Sequence, residues 1–173
     1  MRLLFYDRIT DLVPGESITG IKTFCLSEEY LRKHFSKEPL IPGVIFIEAM
    51  AQLLGWLVIR THDFRLSAVM SLVEDVKMTP DLRPGFSAQI SGRLVSTSRS
   101  DSLGSARMTV DGAEIASIGR IIYVHSGAAD PDGLRALFRY YGGSQWADKA
   151  GFAGSARGEF ASGHKGSGGR PPK

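Results

Sequence analysis

The sequence predicts an α+β fold in which an antiparallel sheet curls around one long buried helix. Two features carry that prediction. Residues 43–61 contain no proline and are rich in strong helix formers, with apolar side chains on nearly every face (Val44, Ile45, Phe46, Ile47, Ala49, Met50, Leu53, Leu54, Trp56). A helix apolar all round is enclosed by protein or by lipid. The run is short for a membrane span and is interrupted by Glu48 and Gln52, so enclosure by protein is expected. One strand-like stretch precedes it and four follow with short connections, which is the second feature.

The elements follow in order. Residues 3–11 are amphipathic and predict a short helix or turn, and Pro14-Gly15 marks a turn. Residues 17–24 alternate as a strand does. Ser27, with Glu28 and Glu29 behind it, predicts the cap of a short helix reaching Lys33. Pro39 and Pro42 hold the backbone extended up to the long helix, because the residue before a proline is kept out of helical angles. Strands are expected over residues 67–78, 87–98, 105–110 and 113–124, with Asp111-Gly112 as a hairpin turn. Asp130-Pro131 and Gly142-Gly143 then bracket a helix of about three turns, whose apolar face is Leu134, Leu137, Phe138 and Tyr141. From Ser144 the chain is rich in Gly, Ala and Ser and is expected to be a flexible tail, with Trp146, Phe152 and Phe160 as points of anchorage. The chain thus divides into a domain over residues 1–125, a helical extension over 126–143 and a tail over 144–173.

Of the 173 residues 43% are hydrophobic, enough for a sizeable core. The net charge of +3 lies wholly in residues 126–173, since residues 1–125 hold 14 Lys and Arg against 14 Asp and Glu. No basic-aromatic pattern or zinc-finger spacing suggests nucleic-acid binding. The charged amino terminus lacks the apolar core of a signal peptide, which predicts a cytoplasmic protein. The lone Cys25 forms no intrachain disulfide and is expected to be a small core residue. His62 and His125 fall at element ends, where solvated positions are expected.

Glu48 and Gln52 are four apart and share one helix face. Burying a carboxylate costs several kcal/mol unless it is paired, hydrogen-bonded or open to a cavity. On the helix alone, a satisfied buried carboxylate or an exposed stripe explains Glu48 as well as a functional role does.

The run from His34 to Gln52, H-F-x-x-x-P-x-x-P-G-V-x-x-x-E-A-x-A-Q, resembles the signature of the 3-hydroxyacyl-[acyl-carrier-protein] dehydratases, most closely the non-isomerising FabZ type. His34 precedes Glu48 by fourteen residues, as the family's histidine precedes its helix-borne glutamate. Similarity extends to YDRITDLVPGESITGIKTF, to DVKMTPDLRPGFSAQISGRLV and to MTVDGAEIASI, covering residues 4–125. The resemblance implies the hotdog fold. It also implies a homodimer joined edge to edge with shared active sites, assembled in some members into a trimer of dimers, and acyl carrier protein as partner.

On this resemblance the reaction is loss of water from a (R)-3-hydroxyacyl thioester. His34 takes the α-proton, having an imidazole that titrates near neutrality. Glu48, in an apolar setting that favours the protonated form, gives a proton to the departing hydroxyl. Negative charge on the thioester carbonyl meets the backbone N–H of Gly43 at the positive end of the helix. Gln52 is expected beside the acid, and Phe46 and Met50 are expected along the acyl tunnel. Arg32, Lys33, Lys37 and Arg83 are candidates for a basic rim facing the acidic carrier protein. The chemistry requires no metal and no cofactor. The sequence departs from the family at Lys33, where glycine is usual, at Ser36, where proline is usual, and at Phe86, where aspartate is common. FabA, the isomerising relative, typically has aspartate where Glu48 stands. Two rival functions stay open: a hotdog thioesterase driven by the carboxylate, and a non-catalytic hotdog subunit that binds carrier protein or completes a heteromer.

Overall fold

The computed structural model describes residues 4–32, 38–128 and 130–148. Six strands form one antiparallel sheet: β1 (Arg8–Val13), β2 (Ser17–Phe24), β3 (Leu66–Met78), β4 (Phe86–Thr97), β5 (Asp101–Val110) and β6 (Ala113–Gly127). Their spatial order is β1-β2-β4-β5-β6-β3. Helix α1 (Gly43–Thr61) lies in the concave face, and a 3-10 turn (Glu29–Arg32) follows β2. Helix α2 (Pro131–Gly142) and the single turn α3 (Ser144–Ala147) come after the sheet.

α1 starts and stops where its residues dictate. Pro42 holds extended angles before it, and the C-terminal turn is closed by backbone bonds from His62 to the carbonyls of Arg60 and Val58. Thr61 in the last turn donates to the Leu57 carbonyl and accepts the Gly15 N–H at 2.8 Å, tying the β1-β2 turn to the helix end. Leu53, Leu54, Leu57 and Val58 are fully buried against the sheet. Although α1 is long and apolar enough to cross a membrane, it is the core helix here. The sheet approaches so closely that side chains are missing where Leu54 seats: a Cβ on Gly92 would lie 3.1 Å from its Cδ1, and one on Gly104 2.9 Å from its Cδ2. The wrapped-helix arrangement predicted from the sequence is the one observed.

Four local expectations are corrected. Residues 8–13 are strand β1, not helix or turn. A register shift between Ile9 and Asp11 places the buried Ile9 and Leu12 three residues apart, a helical spacing on a bulged strand. Cys25 is exposed, because the strand ends at the buried Phe24 and the next residue turns outward; its Sγ lies 3.0 Å from the Ser27 hydroxyl. His62 and His125 are half-buried rather than solvated. β5 begins at Asp101 and β6 runs to Gly127, so His125 sits inside the sheet. A chain of hydroxyls, Thr97 and Ser102, links the two rings, with His62 Nε2 2.6 Å from Thr97 and His125 Nε2 2.9 Å from Ser102. Finally, the stretch from Ser144 begins in contact with the core. Ala147 is buried and the Trp146 carbonyl accepts from Arg60 Nε at 2.9 Å. Arg60 is itself 1% exposed and takes up that carbonyl in the interior.

Candidate active site

Glu48 stands on the second turn of α1 and is half-buried. The Phe5 N–H donates to Gln52 Oε1 at 3.0 Å, which fixes the amide so that its Nε2 donates to Glu48 Oε1 at 2.8 Å. A backbone group on the amino-terminal segment therefore orients the acid through one intermediary. The pairing expected from the four-residue spacing is present, and the Phe5 contact that locks it is not legible in the sequence.

Beside this pair lies a cavity of about 580 Å³. α1 supplies Glu48, Gln52, Trp56 and Ile59, β6 supplies Tyr123, and β3 supplies Val69 and Met70. The Tyr123 hydroxyl donates to the Ala51 carbonyl at 2.7 Å. Burial, and secondarily the negative charge of Glu48, push this phenol far above its ordinary value. Leu137 and Tyr141 of α2 complete the lining.

The other sequence candidates are distributed unevenly. Lys33, His34 and Lys37 lie outside the described residues, as does Ser36; Arg32 ends the 3-10 turn, and Arg83 is exposed in the β3-β4 connection. The turn after β2 is moored by Lys22, only 5% exposed, whose ammonium meets Glu28 at 2.6 Å and Asp7 at 3.6 Å. Gly43 occupies the first position of α1, and the Met78 thioether lies directly over it, where a Cβ would collide. Phe46 and Met50 do not line the cavity at Glu48: both are 1% exposed in the core, with Phe46 edge-on to Phe24 at 5.4 Å. Phe86, the departure from the usual aspartate, joins the same aromatic cluster at 5.2 Å from Phe24. Trp56, Tyr123, Leu137 and Tyr141 take the lining role. Trp56 is four residues from Gln52 on the Glu48 face, a signal present in the sequence; Tyr123 and the α2 residues arrive by tertiary packing.

The sequence profile of the FabA-like domain matches residues 1–119. The chain belongs to that family. Among curated FabA-like proteins, the 3-hydroxyacyl-[acyl-carrier-protein] dehydratase FabZ of Thermomicrobium roseum is 30% identical over 133 residues, 76% of this chain and 87% of the relative. FabZ of Levilactobacillus brevis is 29% identical over 130 residues, 74% of this chain and 86% of the relative. Among solved structures, a Streptococcus mutans protein bound to acetyl-CoA superposes with a TM-score of 0.57 at 15% identity, over 73% of this chain and 94% of that one. A hypothetical thioesterase from Streptococcus pneumoniae, solved with coenzyme A, gives 0.53 at 15% identity, over 69% and 84%. At that identity these two likenesses establish the shared fold alone. The FabA-like match ends before α2, so the helix that lines the Glu48 cavity lies beyond the matched region.

Proposed function

We propose that this protein dehydrates (R)-3-hydroxyacyl thioesters on acyl carrier protein to trans-2-enoyl thioesters. The observation that carries the reading is the Phe5–Gln52–Glu48 relay at an apolar cavity, in a chain whose relatives are FabZ dehydratases. Because the Gln52 amide donates to Oε1, the proton destined for the leaving hydroxyl is carried on Oε2 of Glu48. His34 removes the α-proton, the C–O bond at the β-carbon breaks, and the hydroxyl leaves as water with the proton from Glu48. The thioester carbonyl takes the developing charge at the amino terminus of α1, where Gly43 leaves room once the Met78 side chain swings aside.

The acting unit is a homodimer in this reading. Among the described residues β3 pairs only with β6 and presents its outer edge, with Val69, Met70 and Leu72 exposed along it. Val69 and Met70 also line the Glu48 cavity, so a second copy joined along β3 would cover that side of it; the family resemblance assigns the histidine of the pair to that second copy. Arg32, Lys33, Lys37 and Arg83 form the rim that receives the acidic carrier.

The test is hydration of carrier-bound enoyl thioesters, followed by ultraviolet absorbance and product mass. Glu48→Gln and His34→Ala are each expected to lower the rate about 10²- to 10⁴-fold with the melting temperature unchanged. Thioester hydrolysis that survives His34→Ala would replace this reading with a carboxylate-driven thioesterase. Absence of turnover in the unmodified protein, with carrier protein still bound, would replace it with a binding subunit.

A further inference from the structure

The Glu48 cavity follows α1 from Glu48 to Ile59, eleven residues and so about 16 Å at the helical rise of 1.5 Å per residue. Glu48 marks one end. α2 marks the other, because its Phe138 is packed between Trp56 at 5.1 Å and Phe64 at 5.4 Å. Leu137 and Tyr141, one residue before and three after Phe138, face the same cavity.

This wall is fixed in place. Phe138 is fully buried. Arg135 bonds Asp63 at 2.8 Å and lies 4.7 Å over the Phe64 ring. Asp130 caps the helix by accepting the Gly133 N–H at 2.8 Å, and Arg60 holds the Trp146 carbonyl just beyond it. The wall also lies outside residues 1–119, the region matched by the family profile.

We propose that α2 is the specificity element of this enzyme, with Leu137 and Tyr141 ending the acyl slot and limiting it to chains of medium length. The inference rests on the acyl-thioester reading of the Glu48 site. An extended chain advances roughly 1.2 Å per bond, so a slot of about 16 Å takes about a dozen bonds beyond the acid. Trp56 and Tyr123 make its sides aromatic and flat, which suits an unbranched chain better than a branched one.

The experiment compares the full chain with Leu137→Ala, Tyr141→Ala, the double variant and Leu137→Trp, using a series of straight acyl chains of graded length. Two quantities are read for each length: kcat/KM for hydration of the carrier-bound enoyl thioester, and calorimetric affinity for the saturated thioester, which does not react. Truncation is expected to move the preference to longer chains, changing the long-to-short ratio about tenfold, and Leu137→Trp to move it to shorter ones. Leu137→Val and Tyr141→Leu give the same direction at smaller size if a truncation fails to fold. An unchanged length profile in folded variants would overturn the inference and leave dehydration standing. If no form of the protein hydrates enoyl thioesters, the dehydratase reading fails. The saturated ligands then decide the wall separately: a shifted length preference upholds it, and an unshifted preference or no binding overturns it.

Discussion

The cavity beside Glu48 has two walls built on different principles. The α1 wall belongs to the shared domain. Its residues recur at helical spacing, its helix is gripped along its whole length by the sheet, and its acid is oriented by two short hydrogen bonds. The α2 wall lies beyond the residues that the family profile matches and is held by one buried ring, one half-exposed ion pair and a carbonyl taken by Arg60. In the proposed function the α1 wall carries the chemistry and tolerates little displacement, since catalysis depends on placement to within a fraction of an ångström. In the proposed function the α2 wall meets the substrate tail and needs only shape, which a helix docked through Phe138 supplies.

The sharpest way to break the comparison is Phe138→Ala. Loss of a fully buried phenylalanine is expected to lower stability by about 3–5 kcal/mol. Hydrogen exchange should show the loss concentrated in α2 with α1 protection retained; uniform loss across the sheet would mean that the two walls form one cooperative unit. Next in size is Gly104→Ala, which strains the other side. Its Cβ would lie 2.7 Å from the Arg93 carbonyl and 2.9 Å from Leu54, so backbone must move, at about 1–3 kcal/mol in chemical denaturation. Here protection should fall in α1 and β5 and persist in α2.

A smaller effect is expected from pH. Burial first, and the neighbouring His125 second, hold His62 below its ordinary value of about 6.5, and burial does the same for His125. Both rings are therefore protonated more readily in the unfolded chain. Their contribution is complete above about pH 6.5 and is lost as pH falls through that value toward the lower folded ones. Melting temperatures of the wild type should decline across this window more steeply than those of His62→Asn; parallel curves would exclude the pair as the cause. The smallest effect is that of Arg135→Ala. Its partner Asp63 is 46% exposed, so the expected loss is under about 1 kcal/mol, and more than that would show the pair to be a principal anchor of α2.

How much of this was legible in the sequence differs between the same two regions. α1 was readable to its bounds, because Pro42-Gly43 starts it and an unbroken apolar run continues it. The Glu48–Gln52 bond was readable for the same reason, as a local relation within one helix. β1 was not, since its bulge spaces Ile9 and Leu12 as a helix would. Nor was the replacement of Phe46 and Met50 by Trp56, Tyr123, Leu137 and Tyr141 along the cavity. On a helix apolar on every side, periodicity does not say which face meets the sheet and which meets the slot. The apolar face of α2 was visible, but its destination depends on the fit of Phe138 between Trp56 and Phe64, two rings about eighty residues away in the chain.

Synthesis gives this arrangement an order in time. A chain is made from its amino end, and what emerges first tends to fold first. Glu48, Gln52 and the six strands precede residue 131 and so leave the ribosome before α2 does, and in that interval the acid stands beside a cavity still open on the α2 side. The cavity gains its Leu137 and Tyr141 lining only when Phe138 docks. A fusion partner that replaces the chain after Gly127 would leave the Glu48 cavity without its Leu137 and Tyr141 lining.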